Sequence, residues 1–151
     1  MSDPPAIPSP PAPSKRWEHF PHDADLGIRG FGATPAQAFE QGALALVAAI
    51  TDPALVRGAE TVEIEREAPS LDLLFLDWLN ALIFEMAERR MIFGTFDIKI
   101  GKGRLTARAH GEAVSRDRHA PAVEPKGATF TELAVAEDSP GQWRAQCVVD
   151  V

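Results

Sequence analysis

Acidic groups near the two ends of the chain are the residues whose types could hold a metal ion. Asp23 and Asp25 lie in the stretch His-Asp-Ala-Asp-Leu-Gly, Asp150 is the penultimate residue, and Val151 carries the α-carboxylate. Carboxylate oxygens are the ligands that calcium and magnesium prefer, and calcium tolerates irregular geometry. We therefore expect Asp25, Asp150 and the Val151 carboxylate to meet across neighbouring strands as a metal-binding or partner-activating corner.

The same residues also fit a simpler interpretation. Isolated aspartates near strand ends are common, so Asp25 would be a turn residue and Asp150 a solvated charge. The spacing around His22 matches no compact zinc signature, and His22 is interpreted as a structural histidine that hydrogen-bonds the start of the strand. Residue types and spacing alone therefore leave the metal site as one of two options.

Composition limits the classes of function. The chain has 151 residues, a formal net charge of -7 and one cysteine, Cys147. The negative charge argues against broad binding of nucleic acid, so a role on RNA would act through another protein. No apolar run approaches the roughly 20 residues of a membrane span. Cys147 excludes an internal disulfide framework, and we expect a cytoplasmic protein without membrane partners.

The pattern along the chain predicts one α+β domain behind a tail. Residues 1–14 contain six prolines and are expected to form a disordered or polyproline II tail, with a single domain over 15–151. The domain should be mostly antiparallel sheet with two main helices.

The predicted elements begin with a strand in 17–31, which Gly30 and Gly32 break. Thr34 and Ser70 are the expected N-caps of the two helices. The other predictions are helices to about Ile50 and Arg90, strands over 61–67, 96–100, 105–112, 126–135 and 142–151, and an exposed loop over 114–124.

The order of several short motifs resembles that of a known family. His22 to Ile28 is similar to the opening His-x-Ala-Asp-x-Gly motif of the archease family. The further matches are Trp78-Leu79-Asn80, Gly111-Glu112, His119, Lys126 followed by Ala128-Thr129, and the closing Val148-Val149-Asp150-Val151. The chain differs where Pro125 and Gly127 replace the family's usual valine and alanine around the lysine, and the resemblance covers about residues 17–151.

The resemblance implies a function and a site. Archeases are small α+β proteins that act as non-enzymatic activators, or chaperone-like cofactors, of the GTP-dependent RNA-splicing ligase, which seals tRNA exons and other RNA ends. The resemblance thus implies that the protein helps the ligase to reach its guanylylated state and to turn over. The family's calcium ligands correspond to Asp25, Asp150 and Val151, with another divalent cation as the alternative metal. The resemblance also implies that Lys126, His22, Glu112 and His119 serve partner binding or activation, and that RNA is contacted only through the ligase.

Two hypotheses from other classes compete with the activator. A metal-dependent phosphatase or nuclease would use Asp25, Asp150 and His22, although no paired acid and base stand out beyond these ligands. A general holdase chaperone would need exposed apolar surface. The first would show activity in the isolated protein, and the second would suppress aggregation of unrelated proteins.

Overall fold

A computed structural model describes residues 15–151, so the expected tail lies outside the described residues. The strands are β1 Arg16–His22, β2 Asp25–Gly32, β3 Glu60–Glu67, β4 Met91–Gly101, β5 Arg104–Ala113, β6 Gly127–Ala128, β7 Ala134–Ser139 and β8 Gln142–Asp150. The helices are α1 Pro35–Ile50, α2 Leu71–Arg89 and the short α3 Arg116–His119, with a 3-10 turn at Pro53–Leu55.

The strands form two antiparallel sheets around a shared core. In the larger sheet the order is β1-β2-β8-β6, and β7 also pairs with β8. The smaller sheet has the order β3-β5-β4. One cluster of buried apolar side chains includes residues from both sheets and from both long helices. This architecture confirms the predicted α+β class with mostly antiparallel sheet and two main helices.

Both long helices begin where the sequence predicts. The Thr34 and Ser70 hydroxyls accept hydrogen bonds from the backbone N–H groups of Gln37 and Leu73. The Gln37 side chain in turn accepts from the N–H of Ala33, so the start of α1 is held from both directions. In α2, the indole of the fully buried Trp78 donates to the carbonyl of Phe39 in α1. None of the helices in 15–151 combines the length and apolar character needed to cross a membrane.

The first strand of the sequence prediction is in fact a hairpin. β1 pairs over its full length with β2, up to Phe31, around a turn at Asp23 and Ala24, and Asp23 adopts a left-handed conformation with φ of 51°. The predicted break was wrong at Gly30, which lies inside β2, whereas β2 does end at Gly32. A Cβ at Gly30 would lie 2.3 Å from the carbonyl oxygen of Ala38, so the missing side chain serves the close approach of α1.

Later boundaries also differ from the prediction. β4 begins at Met91 rather than Phe96 and contains a register shift between Phe93 and Thr95. The predicted strand over 126–135 is two strands, because a turn with Glu132 at φ of 56° separates β6 from β7. The expected exposed loop over 114–124 contains α3, and His119 within it is buried.

A candidate metal corner and the strap beside it

Residues from four strand ends form one row at an edge of the larger sheet. His22 at the end of β1 pairs with Asp25 at the start of β2. β2 and β8 pair up to Leu26 and Val149, so Asp25 and Asp150 are the next residues along. Asp150 pairs with Gly127 of β6. Residues that lie more than a hundred positions apart in the sequence thus become neighbours, and we call His22, Asp25, Asp150 and Val151 the corner.

The two corner aspartates lie on the sheet face away from the core. Leu26 and Val149 pack into or against the core, and successive residues of a strand point to opposite faces. Asp25 and Asp150 therefore share the outer face. Neither carboxylate forms an ion pair with any residue from 15 to 151. Two neighbouring carboxylates without a cationic partner are groups that could hold a cation.

His22 does not have the role that the sequence suggested. Its Nδ1 atom is buried and has no hydrogen-bond partner among the described residues. This nitrogen therefore does not hydrogen-bond the start of the strand, which was the structural interpretation. A buried polar atom without a partner is costly and indicates a missing bonding group. His22 pairs with Asp25 directly across the hairpin.

The donor set fits a hard cation only if main-chain oxygen contributes. No group of three or more His, Cys, Asp or Glu side chains in 15–151 is arranged to hold a metal ion. The side chains alone offer two carboxylates, Asp25 and Asp150. Val151 is half-buried and packs against the core, which keeps the main chain after Asp150 close to the sheet. Carboxylate and main-chain oxygens together make the ligand class that calcium accepts.

Lys126 follows a segment that runs from α3 to the corner. We call residues 120–125 the strap. Near its start, the N–H of Ala122 donates to the carbonyl of Ile50, 2.9 Å away. Just after its end, the N–H of Lys126 donates to the carbonyl of Asp150 at 2.8 Å. Pro125 lies before β6, where its missing N–H costs no sheet hydrogen bond. The Lys126 side chain is exposed beside the corner.

Asn80 of α2 holds β6 in place. Its side-chain oxygen accepts from the N–H of Ala128 at 2.8 Å, and its amide nitrogen donates to the carbonyl of the same residue at 3.3 Å. The position of Asn80 in the motif Trp-Leu-Asn thus has a physical reason. It ties the strand next to Lys126 to α2, which packs on the core.

Glu112 and His119 belong to a separate cluster at the other end of the strap. The Glu112 carboxylate accepts hydrogen bonds from the Arg118 guanidinium, from the backbone N–H of Arg57 at 2.6 Å and from Nε2 of His119 at 3.2 Å. The Arg118 guanidinium is the largest cause that holds the pKa of Glu112 well below its usual range, followed by the Arg57 N–H. Sequence reasoning missed Arg118, because nothing in the order of residues shows that it folds back on Glu112.

The hydrogen-bond partners of His119 distinguish its two ring nitrogens. The backbone N–H of Ser115 donates to Nδ1 of His119 at 2.9 Å, so Nδ1 is an acceptor and Nε2 carries the hydrogen that reaches Glu112. The carbonyl of His119 accepts from the hydroxyl of Thr51 at 2.6 Å. Because the His119 side chain is fully buried, we expect it to anchor the strap rather than to touch a partner.

Comparison with known proteins identifies the family. The model of the Archease protein family (MTH1598/TM1083) matches residues 17–151, which is the whole described domain except its first two residues. The chain belongs to the archease family. The match includes both Asp25 and Asp150 and leaves the proline-rich segment outside.

Individual archeases agree with this assignment. The protein archease of Pyrococcus abyssi is 36% identical over 141 residues, covering 91% of this chain and 99% of its own length. That of Methanosarcina mazei is 31% identical over 146 residues, covering 93% and 99%. The solution structure of Methanobacterium thermoautotrophicum protein 1598 superposes with a TM-score of 0.78 at 29% identity, covering 89% of this chain and 98% of that one.

Proposed function

We propose that this archease is a non-catalytic activator of a GTP-dependent RNA-splicing ligase, and that it promotes ligase guanylylation and multiple turnover in tRNA splicing or RNA repair. The observation that carries the proposal is the row of strand ends. Strand pairing and the Lys126–Asp150 hydrogen bond bring the motifs at the two ends of the chain and Lys126 together at one edge of the sheet, where a single partner surface would contact all of them.

We propose that calcium or another divalent cation binds at the corner through Asp25, Asp150 and the Val151 carboxylate. Three features of the chain support this choice. The aspartates share one face of the sheet, neither is paired with a described cation, and their donor atoms are all oxygen. When bound, the ion would neutralise the corner and fix the relative position of β2 and β8.

Lys126 is proposed to contact the ligase. It is exposed beside the corner, it forms no ion pair with residues 15–151, and its N–H is tied to the Asp150 carbonyl. An ammonium held beside bound metal would meet a carboxylate or a phosphate in the partner. The protein would reach RNA only through the ligase, in keeping with its net charge of -7. A cytoplasmic site of action is part of the proposal and fits the single, buried and free Cys147.

Calcium binding is tested by thermal unfolding with and without the ion. At a free calcium concentration of 100 times Kd, binding to the folded state alone stabilises it by about 2.7 kcal/mol. We expect this gain in the native protein and its loss in Asp25→Asn. Asp23→Asn is the matched control, because it removes the same charge two residues away in an exposed turn where asparagine accepts the left-handed backbone. An equal calcium effect in Asp25→Asn and native protein would refute the site.

A further inference from the structure

A groove lies between the C-terminal half of α2 and the strap. Its volume is about 830 Å³, and one wall is the strap itself, up to Pro125 beside Lys126. The floor is apolar and comes mainly from α2, β4 and the segment after β5. Its principal apolar residues are Ile83, Met86, Ala87, Met91 and Val114.

The groove has exposed apolar surface at its edge. Val114 is 40% exposed, although it is a lining residue. Phe84, which is 57% exposed, lies three residues before Ala87 on α2 and therefore on a neighbouring part of the helix surface. The floor beneath this edge belongs to the core, where Met86 and Met91 are 8% and 5% exposed. This combination is typical of a surface that another protein covers.

The rim of the groove is positively charged. Arg90 and Arg116 both line it, and neither forms an ion pair with any residue from 15 to 151. Most other arginines of the domain are paired, such as Arg89 with Glu85 in the same helix. Glu124 is the one acidic lining residue. In a chain with a net charge of -7, two unpaired guanidinium groups around an apolar floor select an occupant with carboxylates or phosphates.

The lining distinguishes a protein segment from RNA. Single-stranded RNA is usually held by aromatic side chains on which its bases stack. The groove has no Phe, Trp or Tyr among its lining residues, and His119 is fully buried in its bond to Glu112. Aliphatic and thioether side chains instead match an apolar helix face or loop.

We propose that the groove binds an acidic amphipathic segment of the partner protein, with apolar side chains on the floor and carboxylates at Arg90 and Arg116. This inference rests on the proposed function, because it takes the ligase as the partner. It adds the groove as a second contact with the ligase, beside the corner. An occupant would touch the strap, whose next residue, Lys126, is bonded to Asp150. Docking in the groove therefore holds Lys126 and the corner against the same partner.

Site-specific crosslinking tests the occupant. Ala87→Cys carries a photo-activatable benzophenone on an exposed position of the groove, and Lys99→Cys carries it on the exposed face of β4 as the control. Cys147 does not compete for the reagent, because burial raises the pKa of its thiol to about 12. We expect an adduct with the ligase from position 87 alone, on a peptide that contains carboxylates. An adduct with RNA, equal adducts from both positions, or none from position 87 while turnover is still stimulated would overturn the proposal.

Charge reversal tests the rim. Arg116→Glu should weaken ligase binding by about tenfold through the loss of a charge-assisted contact. Lys99→Glu makes the same change at an exposed cation outside the groove and should leave binding unchanged. Both variants should keep the native calcium effect, since neither touches the corner. Native affinity in Arg116→Glu would contradict the groove.

The outcomes separate the groove from the function. Asp25→Ala should still crosslink from position 87 but should not stimulate turnover, so loss of stimulation and loss of docking are distinct results. If the native protein does not bind the ligase at all, the proposed function fails. The docking proposal is then tested with a labelled helical peptide of leucine and glutamate. Binding of this peptide to the native protein but not to Arg116→Glu would support the proposal. Failure of the peptide to bind the native protein would overturn it.

Discussion

At the scale of single residues, the clearest electrostatic feature is the Glu112 carboxylate. Its ordinary pKa of 4.5 is lowered in the folded protein by Arg118 and by the Arg57 N–H. A carboxylate with a lowered folded-state pKa contributes stability that is fully present above the unfolded-state pKa. That contribution is lost as the pH falls from about 4.5 through the lowered folded value.

We therefore predict a pH-dependent cost for Glu112→Gln. The amide keeps the shape of the side chain but removes the charge that Arg118 neutralises, so the melting temperature at pH 7 should fall. The difference from the native protein should shrink as the pH is lowered from 5 to 3. Thermal unfolding monitored by circular dichroism at these pH values measures it. A difference that stays constant down to pH 3 would contradict the assigned role of the charge.

Substitution by alanine should destabilise the protein much more at Gly30 than at Gly127. A Cβ at Gly30 would lie 2.3 Å from backbone atoms of α1, whereas at Gly127 the nearest atom would be Oδ1 of Asn80 at 3.6 Å. Gly30→Ala should cost at least about 2 kcal/mol, because backbone must move to admit the methyl group. Gly127→Ala should change the free energy of unfolding by less than about 1 kcal/mol. Chemical denaturation of the two variants checks both values, and a similar cost at both positions would be inconsistent with this packing.

At the scale of elements, β6 is short and depends on its neighbours. It has two residues, and its N–H and carbonyl contacts to Asn80 supplement its pairing with β8. We predict that Asn80→Ala destabilises the protein by about 1–3 kcal/mol, since it leaves the half-buried backbone groups of Ala128 without these partners. Hydrogen exchange of the Ala128 amide should accelerate, while that of Leu26 in the β2–β8 pairing should not. Unchanged exchange at Ala128 would show that Asn80 does not hold the strand.

The element scale also shows what the sequence could predict. The caps at Thr34 and Ser70 depend on residues three positions apart, and both were confirmed. Trp143, Ala145 and Cys147 alternate along β8 and all lie on its core face, as expected for a strand with one buried face. The strand break at Gly30 was predicted wrongly, because the reason for that glycine is a helix that packs from outside the local sequence.

The same limit applies to the candidate site. Asp25 and Asp150 were named from the sequence, but their adjacency depends on the β2–β8 register, and the bonding of Glu112 depends on a helical turn that brings back Arg118. Pairings between distant segments are not encoded in local periodicity. The metal itself stays a prediction.

At the scale of the whole molecule, the strap links three features that lie apart in the sequence. The buried Glu112 cluster lies at one end, the groove lies along the strap, and Lys126 with the corner lies at the other end. Both sheets pack on one core, so these features keep fixed positions relative to one another. A partner could then meet the groove and the corner together, which is the geometry an activator needs to hold another protein in one state.

The most direct test of the central claim is multiple-turnover RNA ligation with the cognate ligase limiting. The reaction is run with the ligase alone, with the native protein, with Asp25→Ala and with the control Asp23→Asn, which removes a nearby charge without straining the left-handed backbone. We predict that the native protein and Asp23→Asn raise the number of turnovers, and that Asp25→Ala does not although it is folded. Equal stimulation by Asp25→Ala, or no stimulation by the native protein, would contradict it.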